Sequence, residues 1–576
     1  MKNIYERLVI LQSGLHCQSY FNNHRKDSDL ILPIGPEALY FCDKNNFENI
    51  KVKDLYEDEI YETDHTSSQE VLKNLVTDLN DYSRSINSSG ALEIGNYFGF
   101  QLWIVIGQIL YNYSIVRMVA KHFYKQKILL FKYSNEQSSL VFRPDPDNLL
   151  ANILLTSKVF SSEQLELVEL DRRTVFSLKK LLITPVIYYL RLGRDIMRIS
   201  KIPLFKKNNK RLALIGGGYE WFKFIKNAKI KNNLKFNVER IKPPTLNYNN
   251  YPEILAIFNS NVFRDEREFY DFTLLSNLIG SYLDFFLANQ EKVEQKLKKY
   301  VGAISSVLTF PEENFLAHMA VKNNLPLYLW QHGEKGQSHD ETILYTELLY
   351  ASDYFMYADL IKLDYQKWLG KNNFKQIHVV GSIEKEIDWR SECSNKVVYA
   401  TGKWLFSATA FTDFVDPDTR IYLAHKDILN YLNHLNDKEV VFKANNTVGF
   451  NQIPYSRDYP KVNFDFKTPF INHLANADVI ILDTPATTLV EACSTEVPIF
   501  VLAGRNKYRE NFLELIKKRV VWCNSTEEMI QKLRLFFEEG IYDANTKDKS
   551  YFNSYISPER ISKPQDQILK IFQKAL

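Results

Sequence analysis

A chain of 576 residues is too long for one ordinary core and implies three to four units of about 150 residues each, or two large domains. With 45% apolar, 24% charged and 14% aromatic residues the composition is globular, which excludes disorder as the main state. A net charge of +3 provides no global field for nucleic acid, and the five scattered cysteines form no CxxC pair. Met1–Gln12 carries no signal-peptide pattern, so a reducing cytoplasm is the expected compartment.

Taken in chain order, the first strong element is the uncharged run Ile94–Val116, "FGFQLWIVIGQILYNY" at its centre. Gln101, Gln108 and Asn112 fall at i, i+7 and i+11, a narrow polar stripe on one helix face. A membrane span wants about 20 mostly apolar residues without such a stripe, so a buried core helix is expected. Between Arg172 and Arg211 stand 12 Lys or Arg residues and one acid, Asp195. This segment reads as a basic amphipathic surface suited to peripheral contact with an anionic membrane. The plainer alternative is a solvated basic face over a core helix.

From residue 201 the grammar becomes regular. "RLALIGGGYEWFKFIKNA" reads as strand, glycine turn and helix, with Gly217 in the turn. It lacks the third glycine of a dinucleotide fingerprint, because position 221 is Trp, and so it is read as a tight turn able to line a cleft. A long helix is expected from Glu266 to about Tyr300. After it, "AISSVLTF", "PEENFLAHMAVKNN", "LPLYLW", "ASDYFMYADLIKLDYQKWLG" and "QIHVVGS" alternate strand and helix. The C-terminal third repeats this alternation: strands at "KVVYATG", "KEVVFKANN", "DVIILDTPATT", "VPIFVLAG" and "VVWCNS" are separated by helical runs. Continuous apolar strands alternating with helices mean βαβ units and parallel sheets covered on both faces. The joint between two such halves falls between Tyr357 and Glu386.

Two stretches carry candidate chemistry. "YLWQHGEKG" ends a buried strand with Gln331, His332 and Gly333, followed by Glu334. In open α/β sheets ligands bind beyond the carboxyl ends of the strands. An imidazole placed there can take a proton from a hydroxyl, and a glycine lets a ligand approach the backbone. The second stretch is "VIILDTPATTLVEACSTEVPIFVLAG", in which Asp483 ends a strand and Thr484, Thr487 and Thr488 lead into a helix. Hydroxyls and N–H groups at a helix start suit a phosphate or diphosphate, and Glu491 one turn on can accept from a ribose or sugar hydroxyl. Ordinary threonine capping is the plainer reading. Asp pairs of DxD type occur at Asp27–Asp29, Asp145–Asp147 and Asp416–Asp418; the pattern is short, two copies carry a central Pro that suits turns, and no metal site is assigned.

"DTPATTLVEACSTEVPIFVL" resembles the donor-side signature of GT-B glycosyltransferases, and "YLWQHGEKG" resembles the Gln-His-Gly strand end of bacterial surface-polysaccharide transferases. CDP-glycerol glycerophosphotransferase-like enzymes carry a similar His-Gly. "HVVGSIEKE" resembles the strand that enters the second domain of this superfamily, and "KVVYATGKW" that domain's first strand. The resemblance covers Ala303 to Leu576 and implies an α/β, GT-B-like fold: two Rossmann-like parallel-sheet domains facing a cleft, with an N-terminal α/β elaboration. The implied division is 1–200 as an N-terminal mixed region of the acceptor half, 201–375 as the acceptor domain and 376–576 as the nucleotide-sugar donor domain.

The implied roles follow by position. His332 is the candidate base, with Glu334 beside it. Lys443, Asn445, Asp483, Thr484, Thr487, Thr488 and Glu491 hold the donor, and Gln331, Gly333, Gly217 and Gly402 line the cleft. No metal and no cofactor are required, since a helix dipole and Lys443 meet the leaving-group charge. The donor is a nucleotide-sugar, and the acceptor a lipid-linked or oligosaccharide chain of lipopolysaccharide or capsule type. The enzyme would be cytoplasmic, peripheral on the inner face of the membrane. One departure stands out: where many relatives read Lys-x-His-Pro, this chain has Lys443, Ala444, Asn445 and Asn446. That departure supports a non-catalytic glycan-binding relative as one alternative; a CDP-polyol phosphotransferase, which shares the fold and the His-Gly, is another.

Overall fold

The computed structural model describes residues 5–52, 58–87, 92–134, 146–171, 211–217, 221, 235–239, 241, 249–263, 268–333, 343–360, 362, 365, 376–382, 395–402, 418–444, 454–504, 508–557 and 564–575. The basic segment 172–210, Glu334 and Asn445 lie outside them, as do Asp145 and Asp416 of the DxD pairs.

Three parallel sheets organise the chain. The middle sheet holds β5 (Arg211–Leu214), β6 (Lys235–Val238), β7 (Gly302–Ser305), β8 (Leu327–Trp330), β9 (Asp353–Met356) and β10 (Gln376–Val379), in the order β10-β9-β8-β7-β5-β6. The C-terminal sheet holds β11 (Lys396–Ala400), β12 (Glu439–Lys443), β13 (Val462–Asp465), β14 (Val479–Leu482), β15 (Ile499–Leu502) and β16 (Val521–Cys523), in the order β13-β12-β11-β14-β15-β16. Every pairing is parallel. Strands such as LYLW and VIIL are buried along their whole length, as a sheet covered on both faces requires. These are the two Rossmann-like domains of the expected α/β, GT-B-like class. Gln376–Val379 pairs with Asp353–Met356, so this strand closes the middle sheet, and the crossing to the next sheet falls between Val379 and Lys396. The long helix runs Thr273–Leu297, its first amide capped by Asp271 Oδ1 at 2.9 Å.

The N-terminal region has a sheet of its own. Strands β1 (Arg7–Leu11), β2 (Asp29–Pro33), β3 (Lys127–Tyr133) and β4 (Leu165–Leu170) pair in parallel in the order β2-β1-β3-β4. Between β2 and β3 the chain inserts the helices Asp58–Ile86 and Ile94–Phe123, which pack on one another. Ile94–Phe123 is long and apolar enough to cross a membrane, yet 83% of its most apolar window is buried inside the protein. Its polar stripe is buried too: Gln101 donates to the Thr309 carbonyl and Asn112 to that of Gln108. Asp29, one member of a DxD pair, is engaged by Arg7 at 2.7 Å and by the Tyr20 hydroxyl at 2.9 Å.

The sequence attaches this region to the acceptor half, but its contacts reach both halves. Tyr97 OH lies 2.6 Å from His318 Nδ1 in the middle domain, and Leu39 is buried in the core of the C-terminal sheet.

Candidate functional site

Strand order locates the crevices. In the C-terminal sheet the connections run from β11 to β12 and β13 on one side, then cross to β14 on the other. The order therefore reverses between β11 and β14, the place where open α/β sheets form a ligand crevice beyond the carboxyl ends of their strands. Thr401 and Gly402 follow β11 there, and Asp483 and Thr484 follow β14. In the middle sheet the reversal lies between β5 and β7, where Gly216 and Gly217 follow β5. Gly216 has φ +67°, and the Gly217 amide donates to the Val307 carbonyl at 3.0 Å. A Cβ on Gly217 would lie 2.6 Å from Val307 Cγ1, so close approach to the β7 end demands glycine there.

The two carboxyl edges meet. Gly333, three residues past β8, adopts φ +68°, and a Cβ built on it would sit 3.0 Å from Thr487 Oγ1. His332 and Thr487 belong to different domains, yet the backbone beside one lies so near the hydroxyl of the other that a side chain there would meet it.

The strand end bearing His332 is held from below. Gln331 is 1% exposed; its Nε2 donates to the Gly333 carbonyl at 3.1 Å and its Oε1 accepts from the Tyr357 amide at 3.0 Å. The His332 amide donates to Glu347 Oε2 at 3.3 Å, and that carboxylate also accepts from the Tyr354 hydroxyl at 2.6 Å. The backbone is thus fixed on both sides while the His332 residue is exposed. Burial, with Glu347 beside it, pushes the Tyr354 phenol far up, so it stays a donor.

On the facing edge, Thr487 is exposed, and Thr484, Thr488 and Glu491 are half-buried. Asp483 faces inward: its side chain is 5% exposed. Its Oδ2 accepts from His425 Nε2 at 2.6 Å and from Tyr399 OH at 3.2 Å. Its Oδ1 accepts from the Gly402 amide at 2.8 Å and the Thr484 hydroxyl at 3.2 Å. Burial pushes the carboxyl up, but the bond and charge from His425, with Thr401 and Gly402, outweigh it and hold Asp483 below the usual carboxylate range. His425 is fully buried, and its Nδ1 lies 2.8 Å from Tyr455 OH. The sequence marks Asp483 as a donor contact; in the fold its two oxygens accept from these four groups. His425, in the middle of the helix Asp418–Leu432, has no sequence signal beyond its amphipathic run.

Lys443 ends β12 and is 7% exposed, with its amine on the backbone carbonyls of Ala444 and Asp465. Burial lowers its pKa against the attraction of Asp465. Gly402 packs so closely on the β14 turn that a Cβ there would fall on the Thr484 hydroxyl. Among the described residues no group of three or more His, Cys, Asp or Glu side chains converges in a way that would hold a metal ion.

No protein-family model matches the chain, and no curated protein matches it. Solved structures similar to it include the glycosyltransferase of kitacinnamycin, with 11% identity over 64% of this chain and 100% of that one, at a TM-score of 0.38. MurG of Acinetobacter baumannii has 10% identity over 63% of this chain and 99% of its own, at 0.36. UDP-GlcNAc 2-epimerase from Neisseria meningitidis, bound to UDP-GlcNAc, has 12% identity over 63% of this chain and 100% of its own, at 0.39. At such scores these likenesses carry nothing about substrate, and the fold class rests on the sheets themselves.

Proposed function

We propose that the protein is a glycosyltransferase that moves a sugar from a nucleotide-sugar donor to a growing cell-surface glycan. The observation that carries this reading is the close approach of Gly333 to Thr487, which brings an exposed histidine on one sheet's carboxyl edge near a hydroxyl-rich turn on the other's. His332 accepts the proton of an acceptor hydroxyl, the freed oxygen bonds to the anomeric carbon, and the nucleoside diphosphate leaves with the electron pair of the broken C–O bond. Thr487 and Thr488 donate to the diphosphate, and Glu491 accepts from a donor hydroxyl. Two rigid edges supply proximity, and fixed hydroxyls stabilise the leaving charge. The acceptor is lipid-linked, and the basic segment 172–211 draws the enzyme to an anionic membrane face.

The test is thermal unfolding against CMP, CDP, UDP and GDP. A ligand that binds the native state raises the midpoint by mass action, by about 2.7 kcal/mol of stability at a hundredfold excess over Kd. One nucleotide is expected to raise the midpoint, and Thr487→Ala or Glu491→Ala to abolish the rise. CDP alone, followed by transfer of a polyol phosphate, would make the protein a polyol-phosphate transferase. No shift with any of the four would overturn the donor site and leave a non-catalytic glycan binder.

A further inference from the structure

The four groups on Asp483 restrict what the crevice between β11 and β14 can recognise. An ionised carboxylate has only lone pairs, so every partner must give it a hydrogen. The Gly402 amide is therefore committed to Asp483 at 2.8 Å, and the Thr484 hydroxyl hydrogen to it at 3.2 Å. A threonine hydroxyl has one hydrogen and two lone pairs. With its hydrogen given to Asp483, Thr484 Oγ1 offers the crevice lone pairs alone. Phosphate oxygens are acceptors and gain nothing there, whereas a ligand hydroxyl is a donor and fits.

The commitment is held by a buried pair that never reaches the ligand. His425 Nε2 is 2.6 Å from Asp483 Oδ2 and 3.0 Å from Thr401 Oγ1. Because the carboxylate only accepts, Nε2 carries the hydrogen, and Nδ1 faces the Tyr455 hydroxyl at 2.8 Å. Tyr399 OH takes the remaining side of Oδ2 at 3.2 Å. A buried carboxylate with four donors around it does not rotate to free one of them without leaving a charge uncompensated.

Resting on the donor-site reading above, we propose that Asp483, fixed by His425, makes Thr484 a dedicated hydrogen-bond acceptor for a hydroxyl of the nucleotide-sugar donor. Diphosphate binding is left to Thr487 and Thr488. His425 and Asp483 are positioning residues, and Thr484 is the specificity contact.

The experiment is isothermal titration of UDP, CDP and GDP, their 2′-deoxy and 3′-deoxy forms, and UDP-glucose, on wild type, Thr484→Val, Thr484→Ser, His425→Ala and His425→Gln. For the nucleotide that binds, Thr484→Val is expected to weaken affinity about five- to tenfold, the worth of one neutral hydrogen bond. Thr484→Ser is expected to restore it. The weakening should vanish with the analogue lacking the hydroxyl read, which a merely structural defect would not produce. If all free nucleotides are unaffected and only UDP-glucose weakens, the hydroxyl read is the sugar's. His425→Ala, which removes the donor toward Asp483, is expected to weaken binding of the same nucleotide, and His425→Gln, which keeps a donor there, to restore it. Equal weakening of every nucleotide and analogue by Thr484→Val would make Thr484 a phosphate contact and overturn the assignment. Wild-type binding with no change in Thr484→Val would overturn it as well, while the donor site stands. Failure of wild type to bind any of these ligands would instead overturn the donor site, and this subsite with it.

Discussion

His332 stands at a point where the backbone is fixed and the side chain is not enclosed. Its amide is held by Glu347 and the next carbonyl by Gln331, and neither bond engages the imidazole. In the proposed role of base, His332 gains from such a mount, because the root of the side chain is set before an acceptor hydroxyl arrives. His332→Ala should therefore lower kcat by about 10²- to 10⁴-fold, the range for loss of a positioned general base. Donor Kd should stay near the wild-type value, since the proposed donor contacts lie on the other domain. Measured kcat and nucleotide Kd decide the matter: weakened donor binding with an unchanged kcat would remove His332 from the base role. Gln331 differs in kind. It is buried and braced to Tyr357 and Gly333, so Gln331→Ala acts through the loop and belongs with stability.

At the scale of elements, the loops after the strands carry the constraint. Gly333 and Gly540 share a left-handed φ, +68° and +72°, which costs another residue type about 1–3 kcal/mol. Their surroundings differ: a Cβ at Gly333 meets Thr487 at 3.0 Å, and one at Gly540, past the helix Thr526–Glu539, meets nothing within 4 Å. Gly333→Ala should thus lower both melting midpoint and turnover, the latter by at least about tenfold, since a small misplacement of reacting groups can cost that much or more. Gly540→Ala should lower the midpoint alone. Parallel melts and rates test the pair, and equal turnover in the two variants would place the Gly333 loop away from the chemistry. The same loops show what was legible beforehand. Strands such as VIIL and LYLW announce themselves as apolar runs, and His332, Thr484 and Thr487 follow directly at their ends. His425 meets Asp483 only because the helix Asp418–Leu432 folds back across a sequence separation of 58, which no local pattern encodes. The edge strand Val462–Asp465 is short and half polar and so lacked the apolar signature. The N-terminal sheet went unread because two long helices separate its second strand from its third.

For the whole molecule, the consequence of that sheet is that one body rests on both halves of the cleft. On the middle domain it is anchored by Tyr97 to His318, by Asn314 Nδ2 to the Tyr97 carbonyl at 3.3 Å, and by Asn261 Nδ2 to Asp78 at 2.8 Å. On the C-terminal domain the helix Pro36–Lys44 supplies Leu39, buried in that sheet's core, with Asp43 on Lys426 at 2.7 Å and Lys44 on Asp458 at 3.0 Å. Magnitudes decide which of these holds the seat. Lys44 and Asp458 are exposed, and the Lys426 side chain is 35% exposed, so both ion pairs are weak and screened by salt. Truncating a buried leucine costs about 2–5 kcal/mol, from lost transfer and the cavity left behind. Leu39→Ala should then lower the urea midpoint clearly more than Asp43→Ala, and 1 M NaCl should leave the wild-type midpoint nearly in place. If Asp43→Ala proved the more damaging, or salt alone released the seat, charge and not burial would hold the N-terminal body to the C-terminal domain. An apolar anchor has a further effect: swinging the C-terminal domain away from the middle one would expose Leu39 or break the contacts of Tyr97. The distance between His332 and Thr487 is therefore set by three bodies together and not by the connection between Val379 and Lys396 alone.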